Sequence, residues 1–306
     1  MPEVLVVGSV ALDSVATPFG AVREALGGSA TYFSYAASFF TGVRLVAIVG
    51  EDFPGEHLDL LRKRDVNISG LQVSKGRTFR WTGEYGYDLN EAKTLDTQLN
   101  VFADFKPVLP AELRRVPYLF LANIDPVLQL DVLRQMAKRP QLVALDTMNF
   151  WIQGKREDVL RVLREVDVVT INDGEARQLA GEPNLIRAAR AITAMGPKTV
   201  IVKRGEYGAL MFSGGTFFMV PAYPLESVFD PTGAGDTFAG GFVGYVAAMD
   251  RVDAPTMRRA VVYGSVMASF AVEDFSLNRL TRLTSGEIGE RYNAFGDLMR
   301  VETARA

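Results

Sequence analysis

The sequence predicts a doubly wound α/β fold, in which a mostly parallel β-sheet has helices on both faces and a small second sheet as a lid. Three observations support this prediction: strand-like apolar runs, helical segments between them, and two stretches that break the alternation. The apolar runs are rich in Val, Ile and Leu and lack polar alternation, which is typical of strands buried on both faces. They are Val4–Val7, Leu45–Val49, Tyr118–Leu121, Leu142–Leu145, Val168–Ile171 and Thr199–Val202.

Segments with helical periodicity lie between these runs, and they include Asp131–Lys138, Asp158–Glu165 and Leu185–Met195. Regular alternation of strands and helices is typical of a parallel sheet whose two faces are both covered by helices. The chain has no internal repeat and no linker rich in Pro or Ser, so we expect a single domain over residues 1–306.

Two stretches break the alternation, at roughly residues 13–27 and 78–103. Polar and apolar residues tend to alternate there and glycines interrupt the pattern, as in antiparallel strands with one exposed face. We therefore expect two insertions that form a small sheet projecting from the main body. This sheet would serve either as a lid or as an ordinary hairpin.

Aromatic residues of the second insertion share one parity along the predicted strand: Phe79, Trp81, Tyr85 and Tyr87. Alternate residues of a strand point to the same side of the sheet. These four side chains would then form an apolar face that the substrate, the main body or a second subunit must cover. We expect a homodimer that forms through the lid.

Composition excludes several classes of function. The 306 residues include 33 basic and 36 acidic side chains, for a net charge of −3 and no dense basic run, so we expect no nucleic-acid partner. The absence of cysteine excludes disulfides and thiolate chemistry, and the single histidine, His57, excludes sites with several histidine ligands. Without a secretion signal or an apolar run of about 18 residues, the protein is expected in the cytoplasm, away from membranes.

The strongest chemical signal is the segment DPTGAGDTFAGG at Asp230–Gly241, after which apolar residues keep helical spacing to Met249. Gly233 and Gly235 allow backbone conformations that other residues rarely adopt. A glycine turn that enters a helix leaves unpaired N–H groups at the positive end of the helix, where anions bind. We therefore expect the N–H groups of Gly233, Ala234, Gly235 and Asp236 to form an anion hole.

Asp236 follows directly and would lie at the mouth of the same helix. A carboxylate beside an anion hole suits phosphoryl transfer to a hydroxyl, because it supplies a base for the proton while the amides stabilise the phosphate charge. The alternative is that Asp236 only caps the helix. Two other phosphate motifs are absent: Phe238 replaces the last glycine of a dinucleotide fingerprint, and the only Gly-Lys pair, Gly154-Lys155, precedes Arg156.

The segment resembles the C-terminal signature D-T-x-G-A-G-D-x-F of the ribokinase-like (PfkB) carbohydrate kinase family, with Pro231 where the family commonly has Thr. The resemblance extends over the chain, because other family landmarks occur in order. They are Gly8-Ser9 with Asp13, Gly27-Gly28-Ser29-Ala30, the V-G-x-D-x-x-G pattern at Val49–Gly55, the N-x-x-E pattern at Asn172–Glu175 and the G-x-x-G turn at Gly205–Gly208.

This resemblance implies a ribokinase-like fold and an ATP-dependent kinase that phosphorylates a hydroxyl of a sugar or sugar derivative, with Asp236 as the catalytic base. It also implies Mg²⁺ as a cofactor, and some family members use a monovalent cation near the anion hole. A nucleoside kinase of the same fold and a non-catalytic ligand-binding relative are the alternatives.

The resemblance further implies roles for individual residues. Asn172 and Glu175 would hold Mg²⁺ through water, although the same pair fits a helix capping box. Substrate contacts are expected from Asp13, Gly27, Gly28, Ser29, Asn123 and Asn149. Nucleotide contacts are expected from Asn172, Lys203, Arg204, Gly205, Gly208, Thr232 and Ser265.

The sequence also indicates ligand-binding positions independently of the family resemblance. Asn123, Asp146 and Asn149 follow predicted strands, and ligands of open α/β sheets bind at the carboxyl ends of strands. Each is alternatively a turn residue.

The glycine pair is followed by Ser29 and Tyr32, at positions where the family often has Asn and ribokinases also have Lys. This difference argues against ribose and favours a substrate with a flatter or less polar part. For a nucleoside substrate, the aromatic residues that would stack on the base are Tyr32, Phe33, Phe79 and Trp81.

Overall fold

The computed structural model describes residues 2–301. Residue 1 and residues 302–306, the two ends of the expected domain, lie outside this range. The strands are β1 (Glu3–Val7), β2 (Ala11–Thr17), β3 (Gly20–Gly27), β4 (Gly42–Gly50), β5 (Asn67–Ser74), β6 (Arg80–Tyr85), β7 (Ala92–Gln98), β8 (Tyr118–Leu121), β9 (Leu142–Asp146), β10 (Val168–Asn172), β11 (Thr199–Lys203), β12 (Ala209–Ser213) and β13 (Thr216–Val220). The helices are α1 (Ser29–Ala37), α2 (Gly55–Lys63), α3 (Pro126–Gln135), α4 (Asn149–Gly154), α5 (Arg156–Leu163), α6 (Asp173–Ala180), α7 (Leu185–Thr193), α8 (Ala234–Met249), α9 (Ala254–Ala271), α10 (Asn278–Thr281) and α11 (Ser285–Leu298).

Within residues 2–301 the main sheet has nine strands in the order β13-β12-β11-β10-β9-β8-β1-β4-β5. The strands from β11 to β5 are all parallel, whereas β12 and β13 extend one edge as antiparallel strands. All six apolar runs of the sequence lie in this sheet, so the predicted mostly parallel α/β fold is confirmed. No helix in this part of the chain is both long and apolar enough to cross a membrane.

Both faces of the main sheet are buried, and β1 illustrates why its strands are continuously apolar. Val4 and Val6 belong to the apolar core on one side of the sheet, whereas Leu5 and Val7 belong to the core on the other side. Successive side chains of a strand point to opposite faces, so a strand with two buried faces needs an apolar residue at every position. Residues of α1, α8, α9 and α11 complete the first core, and residues of α3, α5, α6 and α7 complete the second.

The smaller sheet is formed by the two stretches that break the alternation. Its strand order is β3-β2-β6-β7, with β2 and β6 parallel at the centre and antiparallel partners outside. Its last strand ends at Gln98, earlier than the expected boundary at 103, because Asn100–Asp104 forms a short helical turn instead. Val101 of that turn is buried in the core of the main body, which ties the end of the insertion to the body.

A hydrogen-bonded junction connects the smaller sheet to the main body. Asp52, which follows β4, accepts hydrogen bonds from the N–H and the hydroxyl of Thr78, both at 2.7 Å. Arg80 at the start of β6 then bridges Asp52 (2.8 Å) and Glu24 of β3 (2.6 Å). Asp52, the aspartate of the V-G-x-D-x-x-G pattern, therefore anchors the base of the smaller sheet, which we call the lid.

Helix α8 lies between α1 and α9, and glycines allow both neighbours to approach its backbone. A Cβ atom on Gly240 would lie 2.5 Å from the carbonyl oxygen of Phe33 in α1, and one on Gly241 would lie 2.8 Å from the carbonyl oxygen of Tyr263 in α9. Real Cβ atoms do not approach backbone atoms so closely, so larger residues would separate the helices. The glycine pair inside the helix is thus explained by helix packing.

This packing predicts opposite effects for the same substitution in two helices. Gly240→Ala should lower the free energy of unfolding by about 1–3 kcal/mol, because the added methyl group has no space. Gly289 in α11 has no neighbouring atom within 4 Å of an added Cβ. Gly289→Ala should therefore raise the free energy of unfolding by up to about 1 kcal/mol. Urea denaturation of the two variants measures both effects, and equal changes would contradict the packing argument.

Candidate active site

The candidate site begins at the carboxyl ends of three adjacent parallel strands. Asp146 ends β9, Asn172 ends β10 and Lys203 ends β11, and Asn172 and Lys203 are direct partners in the register. Adjacent parallel strands present their carboxyl ends at the same edge of a sheet, where ligands of open α/β folds bind. The sheet topology therefore brings together residues that are far apart in the sequence.

An ion pair between Lys203 and Asp146 forms the floor of the site. The Nζ atom of Lys203 lies 2.9 Å from Oδ2 of Asp146, whose other oxygen accepts the N–H of Thr147 at 2.8 Å. Burial lowers the pKa of Lys203, but the charges of Asp146, Glu175 and Asp236 outweigh burial and raise its pKa above the usual value. Lys203 is therefore a stable cation among carboxylates.

The first turn of α8 lies directly against this cation. Gly233 adopts a φ of +75° immediately before the helix, and a Cβ there would lie 2.4 Å from the ring of Tyr32. A Cβ on Gly235 would lie 2.8 Å from Nζ of Lys203, so a larger residue there would move the ammonium group away from this turn. We call Thr232–Asp236 the anion-hole turn.

The amides of this turn do not all point the same way. The N–H of Ala234 donates to the carbonyl of Pro231 at 3.1 Å, so it is turned away from the expected anion hole. Among residues 2–301, the N–H groups of Gly233, Gly235 and Asp236 donate to no protein acceptor. The arrangement brings these three free amides, the positive helix end and the Lys203 ammonium group to one place.

Asp236 extends from this turn toward the other ionised groups. The pKa of its carboxyl is raised to about 7, mainly by burial and also by the charges of Asp146, Asp13 and Glu175, while the charge of Lys203 opposes the rise. The residue that caps α8 is Gly233, and no helix N–H in the described chain donates to the Asp236 carboxylate. The alternative that Asp236 is only a helix cap is therefore not supported.

Asp13 of β2 faces the same space from the lid. A Cβ on Gly27 would lie 1.9 Å from its Oδ2 atom, and the same oxygen accepts the N–H of Gly28 at 3.3 Å. Gly28 itself has a φ of +95°. Burial raises the pKa of Asp13 to about 7, with a further contribution from Asp230, while the Gly28 hydrogen bond lowers it. The glycine pair thus makes room for a carboxylate that is 7% exposed.

Three other expected substrate residues have protein partners. The hydroxyl of Ser29 lies 3.0 Å from that of Ser9, which joins α1 to the end of β1. The side-chain oxygen of Asn123 accepts the indole N–H of Trp151 at 3.0 Å. Asn149 is the first residue of the exposed start of α4, and its N–H donates to Glu175. Ser29 and Asn123 therefore brace the loops of the site.

Asn172 and Glu175 form the capping box that their spacing predicted. The side chain of each accepts the backbone N–H of the other at 2.8 Å. Burial raises the pKa of Glu175 to about 7, as does the charge of Asp146, while Lys203 and two backbone N–H groups lower it. Within the described residues, no group of three or more His, Cys, Asp or Glu side chains could hold a metal directly. The pair fits a hydrated Mg²⁺ held mainly by phosphates and reached through water.

The expected nucleotide turn follows β11. Gly205 and Gly208 have φ values of +52° and +83°, and the N–H of Arg204 closes the turn by donating to Gly208 at 2.8 Å. The guanidinium of Arg204 lies over the ring of Tyr207, 5.7 Å from its centre. Of the two neighbouring cations, Lys203 is therefore the one paired with the site carboxylates.

The remaining expected nucleotide residues lie on α9 and on the anion-hole turn. Ser265 is 8% exposed, and its buried hydroxyl has no partner among residues 2–301. Thr232 donates its N–H to Asp230 at 2.9 Å and its hydroxyl to the phenol oxygen of Tyr85 at 3.3 Å. The phenol of Tyr85 is thus a lid group that reaches the anion-hole turn, which its sequence parity alone did not reveal.

The aromatic candidates for stacking on a base separate into two groups. Phe33 is fully buried and stacks on Phe120 at 4.2 Å, and Phe79 stacks on Phe102 at 5.2 Å. Phe33 is therefore not free to contact a substrate, and neither is Tyr32, which is 2% exposed and packs against Gly233, whereas Phe79 is only partly buried. Trp81 instead lies opposite Asp13 in the parallel register of β2 and β6.

Comparison with known proteins gives matches that cover most of the chain. A family model described as pfkB family carbohydrate kinase matches residues 1–281. A cytidine kinase of Thermococcus kodakarensis is 32% identical over 247 residues, which are 79% of this chain and 88% of the relative.

Two solved structures share the fold. A nucleoside kinase of Methanocaldococcus jannaschii has a TM-score of 0.76 and 21% identity, over 96% of this chain and 99% of that chain. An E. coli protein named ribokinase II, solved with ATP and Mg²⁺, has a TM-score of 0.77 and 20% identity, over 96% of this chain and 100% of that chain.

The raised pKa of Asp13 predicts a pH-dependent effect on stability. A carboxyl whose pKa is higher in the folded state binds its proton more tightly when folded. The proton bound to Asp13 therefore stabilises the folded state, and this contribution is lost as pH rises through about 7. At pH 8 the wild type keeps an unfavourable buried charge, which Asp13→Asn removes. The Tm of Asp13→Asn relative to wild type should therefore be higher at pH 8 than at pH 5.

Scanning calorimetry at both pH values checks this expectation, with Asp59→Asn, on the exposed surface of α2, as the matched control. The interpretation fails if the two variants show the same Tm difference at pH 5 and pH 8.

Proposed function

This chain belongs to the pfkB family of carbohydrate kinases, which are ATP-dependent phosphotransferases with hydroxyl acceptors, and we propose that its acceptor is a ribose hydroxyl of a nucleoside. Family membership thus agrees with the expected enzyme class and leaves the non-catalytic alternative without support. The observation that carries the proposal is that Asp13 lies close enough to Asp236 for its charge to raise the pKa of Asp236, and that Trp81 of the lid is the register partner of Asp13.

In the proposed reaction, the acceptor hydroxyl lies between the lid and the first turn of α8. Asp236 takes the hydroxyl proton while the hydroxyl oxygen forms a bond to the γ-phosphorus and the bond to the ADP oxygen breaks. The N–H groups of Gly235 and Asp236, together with the ammonium group of Lys203, stabilise the negative charge of the transferred group. The lid excludes water, which favours transfer over hydrolysis.

The proposal of a nucleoside rests on the lid and on a relative. Trp81 lies flat along β6, because its indole ring covers Gly83, where a Cβ would lie 2.2 Å from the ring. Its indole N–H donates to Thr94 of the neighbouring strand at 3.2 Å, which holds the ring in this orientation. A flat aromatic surface next to the expected hydroxyl-binding Asp13 suits a planar base joined to a sugar. The similarity to a cytidine kinase supports the same acceptor class.

A free sugar is the second candidate, and it is favoured by the way in which the glycine pair holds Asp13. Gly27 leaves space for the Asp13 carboxylate and Gly28 donates its N–H to it, and a carboxylate held in this way suits several adjacent hydroxyl groups. Ribose, fructose and a set of nucleosides offered at equal concentration, with ADP release as the readout, separate the two acceptor classes.

Nucleotide and metal are proposed to bind at the carboxyl ends of β10 and β11. Lys203, the Gly205–Gly208 turn, Thr232 and Ser265 would contact ATP, and Asn172 with Glu175 would reach Mg²⁺ through water. When bound, Mg²⁺ would neutralise phosphate charge at this position. The E. coli ribokinase II binds ATP and Mg²⁺, in support of this assignment.

Two finer expectations of the sequence stay predictions. For a monovalent cation beside the anion-hole turn, both oxygens of Asp230 already accept N–H groups, from Thr232 and Ser276, which restricts its capacity as a ligand. For a homodimer through the lid, every residue of β7 is exposed, so a second copy has a free edge strand to cover. Light scattering at micromolar concentration tests the dimer.

The Asp236→Asn variant tests the proposed base. Asn keeps the shape of the side chain but cannot accept the acceptor proton, so kcat should fall at least about 100-fold with near-normal affinity for ATP. Removal of a buried carboxylate with a raised pKa should leave the Tm at pH 8 unchanged or higher. The base assignment is wrong if Asp236→Asn turns over at a rate close to that of the wild type.

The Glu175→Gln variant tests the proposed metal contact. Gln keeps the capping hydrogen bond to the N–H of Asn172 but lacks the negative charge, so α6 should stay folded while half-maximal activity requires more Mg²⁺. Titration of activity with Mg²⁺ at saturating ATP measures this shift. A Mg²⁺ titration that superimposes on that of the wild type would remove Glu175 from the site.

A further inference from the structure

We propose that Tyr85, at the end of β6, is a catalytic residue supplied by the lid, whose phenol donates a hydrogen bond to the acceptor while it accepts one from Thr232 of the anion-hole turn. The inference rests on the proposed kinase function and adds a residue outside the family landmarks of the sequence. Three observations support it: the side of the lid on which Tyr85 lies, its hydrogen bond to the turn, and the charges that surround it.

The first observation is that Tyr85 lies on the side of β6 that faces the main body. Alternate residues of a strand share one side, so Tyr85 lies on the same side of β6 as Gly83 and Trp81. Trp81 is the register partner of Asp13 in the parallel neighbour β2. Farther along that neighbour, Thr17 shares the side of Asp13 and donates its hydroxyl to the carbonyl of Phe229 in the main body at 2.9 Å. This side of the lid therefore faces the body.

The second observation is the hydrogen bond between the lid and the anion-hole turn. The Thr232 hydroxyl donates to the Tyr85 oxygen at 3.3 Å, and the Thr232 N–H donates to Asp230, which holds the threonine in place. A phenol has one hydrogen to donate and accepts through its oxygen. Since Thr232 uses the accepting side, the Tyr85 hydrogen stays available to a ligand, and no residue within 2–301 accepts it.

The third observation is the charge around the phenol. The pKa of Tyr85 is raised to about 12, mainly by burial and also by the charges of Asp230, Asp13 and Asp236, while the Thr232 hydrogen bond opposes the rise. A group within electrostatic range of both Asp13 and Asp236 lies close to the space between the substrate carboxylate and the proposed base. A neutral donor is favoured there, because it can bind an acceptor oxygen without adding to the negative charge.

These observations connect acceptor binding to the position of the lid. At the far end of the same hairpin, the side-chain oxygen of Asn90 lies against Gly205 of the expected nucleotide turn, where a Cβ would be 1.8 Å away. One lid segment thus touches the anion-hole turn through Tyr85 and the nucleotide turn through Asn90. The acceptor hydrogen bond of Tyr85 would be formed when the lid lies over both substrates.

The Tyr85→Phe variant tests the inference, because it removes one oxygen atom and keeps the ring. Tyr87→Phe is the matched control, since Tyr87 has the same parity, loses the same atom and is 94% exposed. The probes are cytidine and D-ribose, with ATP and Mg²⁺. For the better acceptor, Tyr85→Phe should lower kcat/KM by about 3- to 10-fold, the range for loss of one neutral hydrogen bond.

The pattern of change separates a catalytic residue from a structural one. For Tyr85→Phe we expect an unchanged KM for ATP and an unchanged Tm, with a larger share of ATP hydrolysed without transfer, because the lid no longer holds the acceptor. Tyr87→Phe should match the wild type in every measurement. Kinetics of Tyr85→Phe that equal those of Tyr87→Phe overturn the inference, as does an equal loss for ATP and acceptor accompanied by a lower Tm.

Failure of the inference and failure of the proposed function give different results. Calorimetric titration of cytidine and D-ribose into the wild type with a non-hydrolysable ATP analogue measures acceptor binding without catalysis. A wild type that neither binds nor phosphorylates either compound overturns the proposed function and the inference together. A wild type that is active, with Asp236→Asn inactive and Tyr85→Phe unchanged, overturns the role of Tyr85 alone.

Discussion

The close packing of α8 between α1 and α9 is the constraint on which the site depends. Gly240 and Gly241 allow the two neighbouring helices to contact the α8 backbone, so the helix is held along its length inside the core. The same helix begins at Gly233 with a left-handed turn against the ring of Tyr32. Free amides and a carboxylate at a helix start can stabilise developing charge only if they are held in a fixed position. Burial of the rest of the helix holds this helix start in place.

The site also depends on a balance between one positive charge and several buried carboxyl groups. One ammonium group, Lys203, lies among Asp146, Glu175 and Asp236, and burial favours the protonated forms of Glu175 and Asp236. The positive charge of Lys203 opposes that tendency, and it would keep the proposed base, Asp236, ionised near neutral pH. Gly235 makes this arrangement possible, because any side chain there would displace the ammonium group. Gly235 therefore affects both the backbone of the anion-hole turn and the position of the positive charge beside it.

The lid contributes groups that the main body lacks. It carries Asp13, Trp81 and Tyr85 on one side, and the Arg80 bridge to Asp52 anchors its base. The expectation that the aromatic side chains form one covered face agrees with the structure for Trp81 and Tyr85, which are partly buried. It is wrong for Tyr87, which follows the end of β6 and is 94% exposed. The sequence did not distinguish a cover by the body from a cover by a second subunit, because parity places side chains on a side without stating what lies opposite.

The sequence by itself determined the sheet and the start of α8. Apolar residues at every position predict strands with two buried faces, and the glycines of Asp230–Gly241 predict a turn before a helix, because both signals are local. Tertiary structure alone decided that Lys203 rather than Arg204 pairs with Asp146, and that Tyr85 meets the anion-hole turn. Those contacts join residues separated by 57 and 147 positions, so they depend on strand order and lid placement, for which no local pattern exists.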